Sequence, residues 1–194
     1  MKRFLVVALV ILGAVPARGA AQASTWAIDP VHSELTFRIR HYVTKVRGTF
    51  GKWGGTIVAD PKGLAGGTVE VSIDAKSIDT NMEMRDNHLR SNDFFATDSF
   101  PTLTFKSTRV EVAGSAVRVF GNLTIRGITR PVVLAGEYGG ASKGTDGKER
   151  IGFEASTKVN RMDYHVAWNR AIEGGGVMLG DEVEINITVE AVKQ

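Results

Sequence analysis

Four histidines, His32, His41, His88 and His165, are the residues of this chain best suited to moving a proton or holding a metal. Their spacing favours neither task. No His-x-Glu-x-His run or helical i, i+4 pair occurs, and the chain has no cysteine. A metal site would therefore need distant His and Asp residues to converge. Two neighbourhoods could act as acid–base pairs, His88 with Asp86 and His165 with Asp163. Residues two apart on a helix do not face one another, which weakens the first pair. No Gly-x-Ser-x-Gly elbow, phosphate-binding loop or dinucleotide fingerprint is present, so neither a nucleophile nor a cofactor cradle stands out.

The elements around these residues read as strands. Leu35, Phe37 and Ile39 alternate with polar neighbours, as do Val69, Val71 and Ile73. Val183, Ile185, Ile187 and Val189 repeat the pattern near the C-terminus. Period-two spacing puts apolar groups on one face of a strand and polar groups on the other. Looser versions run through 46–58, 102–112, 116–125, 131–138 and 151–159, separated by turn signals such as Asp60-Pro61-Lys62-Gly63, Gly114-Ser115 and Arg126-Gly127. About eight consecutive, mostly hairpin-linked strands predict an antiparallel barrel or sandwich. One stretch departs from the pattern. Thr80-x-x-Glu83 has the form of a capping box, and residues 82–90 contain no Gly or Pro. This predicts a short helix and loop over 79–100, lying across one end of the sheet structure.

The N-terminus carries a different signal. Lys2 and Arg3 precede an apolar core, Phe4 to Val15, and Ala21-Gln22-Ala23 offers a small-x-small cleavage site. The core is about 12 residues, where a membrane span needs roughly 20. A secretory leader cleaved after Ala23 is expected, with the mature domain exported, most simply to the periplasm of a Gram-negative bacterium. The chain has 24 Lys+Arg against 21 Asp+Glu, but Lys2, Arg3 and Arg18 leave with the leader, so the mature domain is balanced at 21 against 21. Nucleic acid is accordingly not an expected partner. The remaining 171 of 194 residues suit one domain with a sizeable core. Asn122-Leu-Thr and Asn186-Ile-Thr match a glycosylation sequon, but both fall in predicted strands behind a bacterial-looking leader.

An eight-stranded barrel is just wide enough to fill with side chains or to hold one small ligand. Several predicted strands run to about ten residues, where five or six is usual, and long tilted strands make a deep tube. Phase alone leaves a lumen and a solid core equally open.

The chain resembles the YceI-like polyisoprenoid-binding proteins. Ile28-Asp-Pro-Val-His-Ser33 and His41-Tyr-Val-Thr-Lys-Val-Arg-Gly-Thr-Phe50 look like the opening of that family. The likeness continues through Ile73-Asp-Ala-Lys-Ser-Ile-Asp-Thr80, Arg85-Asp-Asn-His-Leu-Arg-Ser91, Asp93-Phe-Phe95 and Phe100-Pro-Thr-Leu-Thr-Phe105. Gly121-Asn-Leu-Thr-Ile-Arg-Gly-Ile-Thr-Arg-Pro131, Gly152-Phe153 and Asn160-Arg161 complete it in family order. One departure stands out: where many members continue with an acidic residue and Phe-Gly, this chain has Asp163-Tyr164-His165.

The resemblance implies an all-β fold, an extended eight-stranded antiparallel lipocalin-like β-barrel with a short helix and loop insertion near residues 80–100. Its pore would hold a long apolar chain, an isoprenoid with a quinone or pyrophosphate head, or in some members a fatty acid or fatty amide. No cofactor is implied; a homodimer and a membrane redox partner are expectations of the same kind. For the pore wall the strand phase selects Leu35, Phe37, Ile39, Val71 and Leu103, with Phe105, Leu123, Ile125 and Phe153. Trp53, Phe94, Phe95 and Trp168 are expected to close the ends. Arg85, His88, Arg161 and His165 are the candidates for a polar mouth, since arginine grips pyrophosphate and histidine can donate to a quinone carbonyl. Each has a plainer reading: core packing for the apolar residues, and for Arg85 and His88 a network with Asp86 that pins the helix. A lipid-modifying enzyme using His88 or His165, and an adhesive domain with a solid core, are the rival functions.

Overall fold

The computed structural model describes residues 23–194 apart from Pro61 and Gly174. Of the expected leader, Met1 to Ala23, residues 1–22 lie outside them. Eleven strand segments form the sheet: β1 (Ser24–Ile28), β2 (Glu34–His41), β3 (Thr44–Phe50), β4 (Trp53–Asp60), β5 (Gly63–Asp74) and β6 (Ile78–Asp79) in the first half. After helix α1 (Glu83–Arg90) come β7 (Thr102–Ala113), β8 (Ala116–Ile125), β9 (Ile128–Lys143), β10 (Glu149–Asn160) and β11 (Leu179–Lys193).

These eleven segments make eight staves. β1 and β2 lie end to end along β11, Ile28 opposite Ala191 and Leu35 opposite Ile187. β3 and β4 continue one another in the same way, pairing with β2 and β1. β6 extends β5 by pairing with the end of β3. Every pairing is antiparallel, and the β1–β11 ladder closes the sheet into an eight-stranded barrel. Closure leaves no long free edge. The breaks between paired segments fall where the sequence interrupts its alternation, at Pro30 and at Gly51-Lys52. β1 does not stand out by alternation, because its five residues carry too few periods.

Register divides the barrel into two ends. The β4–β5, β7–β8 and β9–β10 turns lie together at one end. α1, the β2–β3 and β8–β9 turns, and the 161–178 segment lie at the other. The first end is solid. Trp26, Ile57, Ala59, Leu64, Val117 and Ile151 are buried there, with a residual void of only about 10 Å³. Trp26 Nε1 donates to the Ala59 carbonyl at 3.3 Å, which satisfies its one donor inside the plug.

Helix α1 corrects one expectation. Its N-cap is Met82, with no side-chain cap, so Thr80-x-x-Glu83 is not a capping box. Thr80 instead donates through its backbone N and its hydroxyl to buried Asp86, while Arg85 donates to the Thr80 hydroxyl and carbonyl, both at 2.7 Å. The helix is thus pinned by a buried side-chain network that sequence spacing cannot distinguish from a cap.

Candidate functional site: an apolar cavity with one capped end

Above the plug the barrel is hollow. A cavity of about 780 Å³ fills the end nearest α1, within the range of sites that enclose a ligand of drug size. Its wall comes from inward positions of most staves. Leu35, Phe37 and Ile39 of β2, Val71 of β5, and Leu103 and Phe105 of β7 all line it. So do Leu123 and Ile125 of β8 and Phe153 of β10, which completes the predicted wall.

Two glycines make room for this wall. A Cβ at Gly48 would stand 2.3 Å from the Phe37 ring, and one at Gly121 would stand 2.4 Å from the Phe105 ring. Both rings lie over a neighbouring stave where only hydrogen fits. The large side chains are therefore turned along the wall, and the centre stays empty.

The four aromatics expected at the ends also reach the cavity. Phe94 and Trp168 meet at 5.3 Å between ring centroids, and His88 stands edge-on to both, at 5.0 and 4.9 Å. Phe95 stacks edge-on against Phe50, itself 5.9 Å from Phe37. This cluster joins the loop after α1 to the 161–178 segment across the barrel end. Trp53 lies at the start of β4 and lines the cavity from the side.

The polar candidates separate. Arg85 and His88 line the cavity, as does Arg161, but Arg161 is only 4% exposed and its donors are taken. Its Nε donates to the Gly180 carbonyl at 2.9 Å, and its Nη1 to the carbonyls of Val166 and Trp168 at 2.5 and 2.9 Å. Asp181 lies 3.5 Å from Nη2, yet burial still pulls the guanidinium below its ordinary value. Arg161 thus fastens the 161–168 turn to β11. His165 is the exception among the predicted site residues. It is exposed, outside the cavity wall, and holds φ 55° as the left-handed cap of a short 3-10 turn, Arg161–Tyr164. The position suits Gly, the residue the resemblance leads one to expect there.

Neither proposed acid–base pair forms as drawn. Asp86 is occupied by Thr80, and His88 Nε2 pairs with Asp93 at 2.8 Å. No contact links His165 to Asp163 among the described residues; the His165 carbonyl accepts from Arg126 at 2.6 Å. Convergence of distant titratable groups occurs elsewhere. Asp29, His32 and Glu190 bring their ligand atoms within 4.8 Å of one another. There His32 Nδ1 lies 2.8 Å from Asp29, and Glu190 accepts from Arg150 Nε at 2.9 Å. The Asp29 contact raises the His32 imidazole above its ordinary value and lowers the Asp29 carboxyl below its own. The group clasps the β1–β11 seam, where Asp29 N also donates to the Glu190 carbonyl.

Sequence reasoning missed two features of this end. Arg126 Nη1 donates to the Phe94 and His165 carbonyls and Nη2 to that of Asn92, which ties both capping segments to the β8–β9 turn. Tyr164, 2% exposed and part of the cavity wall, has a hydroxyl with no hydrogen-bond partner. Its phenol is pushed above the ordinary value by burial. The Arg126-Gly127 turn signal marked the first position without revealing its reach.

Among the described residues no helix is long and apolar enough to cross a membrane. UPF0312 protein SAS2572 of Staphylococcus aureus strain MSSA476 is 37% identical over 169 residues, covering 86% of this chain and 96% of the relative. A Campylobacter jejuni YCEI protein of known structure is 33% identical, with TM-score 0.70 over 78% of this chain and 87% of that one. A polyisoprenoid binding domain from Saccharophagus degradans shares the fold, with TM-score 0.66 at 17% identity over 87% of this chain and 98% of that one. The YceI-like domain model matches residues 26–191, which takes in the barrel from β1 to β11, the pinned helix and both capping segments: the chain belongs to the YceI-like family.

Proposed function

We propose that this protein is an exported lipid-binding barrel that shelters a long apolar isoprenoid chain, for carriage or storage. The observation that carries the reading is the 780 Å³ cavity, walled by Val, Ile, Leu and Phe and solid at one end. Such a space rewards an apolar guest in proportion to its length. Burying one methylene is worth about 0.8 kcal/mol, so one isoprene unit gains roughly 3–4 kcal/mol gross. A few units offset the entropy of association without any strong polar contact. The fold neighbour named as a polyisoprenoid binding domain supports the same class of guest.

The geometry favours a neutral head over a diphosphate. Of the two arginines lining the cavity, Arg161 donates to three backbone carbonyls and Arg85 to Thr80. A prenyl quinone fits these surroundings better than a polyprenyl pyrophosphate, and fatty acids or fatty amides remain the second class. Catalysis has less support, because His165 lies outside the cavity wall and His88, although paired with Asp93, is set edge-on in the Phe94–Trp168 cluster.

Expression with the leader, followed by native mass spectrometry of the mature protein, tests the reading. A retained mass matching a prenyl lipid is the expected result. Repeated recovery of ligand-free protein, or lipid turnover abolished by His88→Ala, would defeat it.

A further inference from the structure

The β2–β3 hairpin turns through Tyr42-Val43, and neither turn chemistry nor packing accounts for that pair. Two-residue hairpin turns favour Asn-Gly or Asp-Gly, because their central positions call for positive φ. Tyr42 holds φ 50°, a region bulky residues rarely enter. Burial does not offset this strain: Tyr42 is 42% exposed, its ring touching only the neighbouring His41 edge-on among the ring contacts of the described residues, and Val43 is 96% exposed. On the flanks, Arg38, Arg40, Lys45 and Arg47 place four cations within ten residues that contain no acid. Lys45 and Arg47 reach Glu184 and Glu34; Arg38 stands opposite Glu184 in the β2–β11 register without a close ion pair, and Arg40 forms none among the described residues.

The turn stands on the rim of the capped end, beside the cavity. His41 and Met178 line the cavity, and Tyr42 N donates to the Met178 carbonyl at 2.8 Å. The β3–β6 register, Thr49 opposite Asp79, leads the chain after Thr80 back along β3 towards the same turn. There Met82 and Met84 also line the cavity while staying exposed, Met84 at 73%. An apolar rim with a cationic flank thus borders the cavity at this end.

We propose that this rim, led by Tyr42 and Val43, docks the mouth on an anionic phospholipid bilayer. The inference rests on the lipid-binding reading, because a water-insoluble guest needs a dry path from its source. An apolar tip flanked by a cluster of cations is the composition that seats at a charged lipid interface. A second copy of the chain fits less well: an isologous contact through this face would bring two cation-rich flanks together.

Co-sedimentation of residues 24–194, which hold the whole closed barrel, with vesicles tests the docking. Phosphatidylglycerol–phosphatidylethanolamine vesicles should bind the protein, with binding falling as salt rises, and pure phosphatidylcholine should bind it more weakly. The double substitution Tyr42→Asn, Val43→Gly installs a favoured turn and keeps the hairpin. It should lower partitioning by about tenfold or more, as expected when two apolar side chains leave the interface. Equal partitioning of wild type and variant, or none by either, overturns the proposal. So does a wild-type dimer that the same substitution dissociates, since the face would then belong to a second copy. Native mass spectrometry of the same samples separates the two readings. Retained lipid without vesicle binding defeats docking alone, while its absence defeats the lipid-binding reading on its own measurement.

Discussion

Tyr164 and His32 show how single side chains trade stability against place. The Tyr164 hydroxyl is buried without a partner, and an unsatisfied buried polar group costs about 1–3 kcal/mol. Tyr164→Phe removes the orphan and keeps the ring, so it should leave stability unchanged or raise it by about 1 kcal/mol. Urea denaturation checks this, and a loss of similar size would mean the hydroxyl has a partner. His32 acts at the seam. Its imidazole is raised by Asp29, so its contribution is full below the unfolded value near 6.5 and fades as pH rises through the higher folded value. Asp29 is lowered, so its contribution is full above its unfolded value near 3.8 and fades as pH falls below that. The pair therefore helps most in mildly acidic solution. The melting-temperature gap between wild type and His32→Ala should be widest near pH 5–6 and should shrink by pH 8. A gap independent of pH would show that the clasp is not electrostatic.

At the scale of elements, guanidinium groups hold the capping segments. Arg126 donates to three carbonyls in two segments, and hydrogen bonds from a charged donor are worth about 1.5–3 kcal/mol. Arg126→Met should leave the barrel folded and loosen both segments together. Amide exchange at 90–97 and 165–168 should quicken by about ten- to hundredfold while strand amides hold. Quickening in one segment alone would show that Arg126 does not couple them. This coupling was not legible in the sequence, since an arginine beside Gly127 announces a turn and says nothing of carbonyls more than thirty residues away. Strands were legible because period two repeats over many residues. Helix α1 was legible by composition, but Thr80 could not be read correctly: a threonine three residues before a glutamate suits a cap, and only the fold brings Asp86 to it.

For the whole molecule, the deciding feature is the division between plug and cavity. Phase placed Leu35, Phe105 and Phe153 indoors without telling a filled centre from a hollow one. The difference lies across staves, in glycines such as Gly48 and Gly121 that let rings lie flat on the wall, and in Trp26 filling the far end. The polar mouth was legible only in part, because Arg161 and His165 were chosen by type while their roles depend on backbone geometry. Ala155 offers the sharpest handle, as a small residue on the cavity wall between β9 and β11. Ala155→Trp should block the space without touching the capping segments. The most direct measurement is quantitative extraction of lipid from wild type and Ala155→Trp purified identically, with circular dichroism confirming that both are folded. A long-chain apolar lipid is expected in the wild type, and its loss from the variant. Equal lipid in both folded proteins, or none in the wild type, would contradict it.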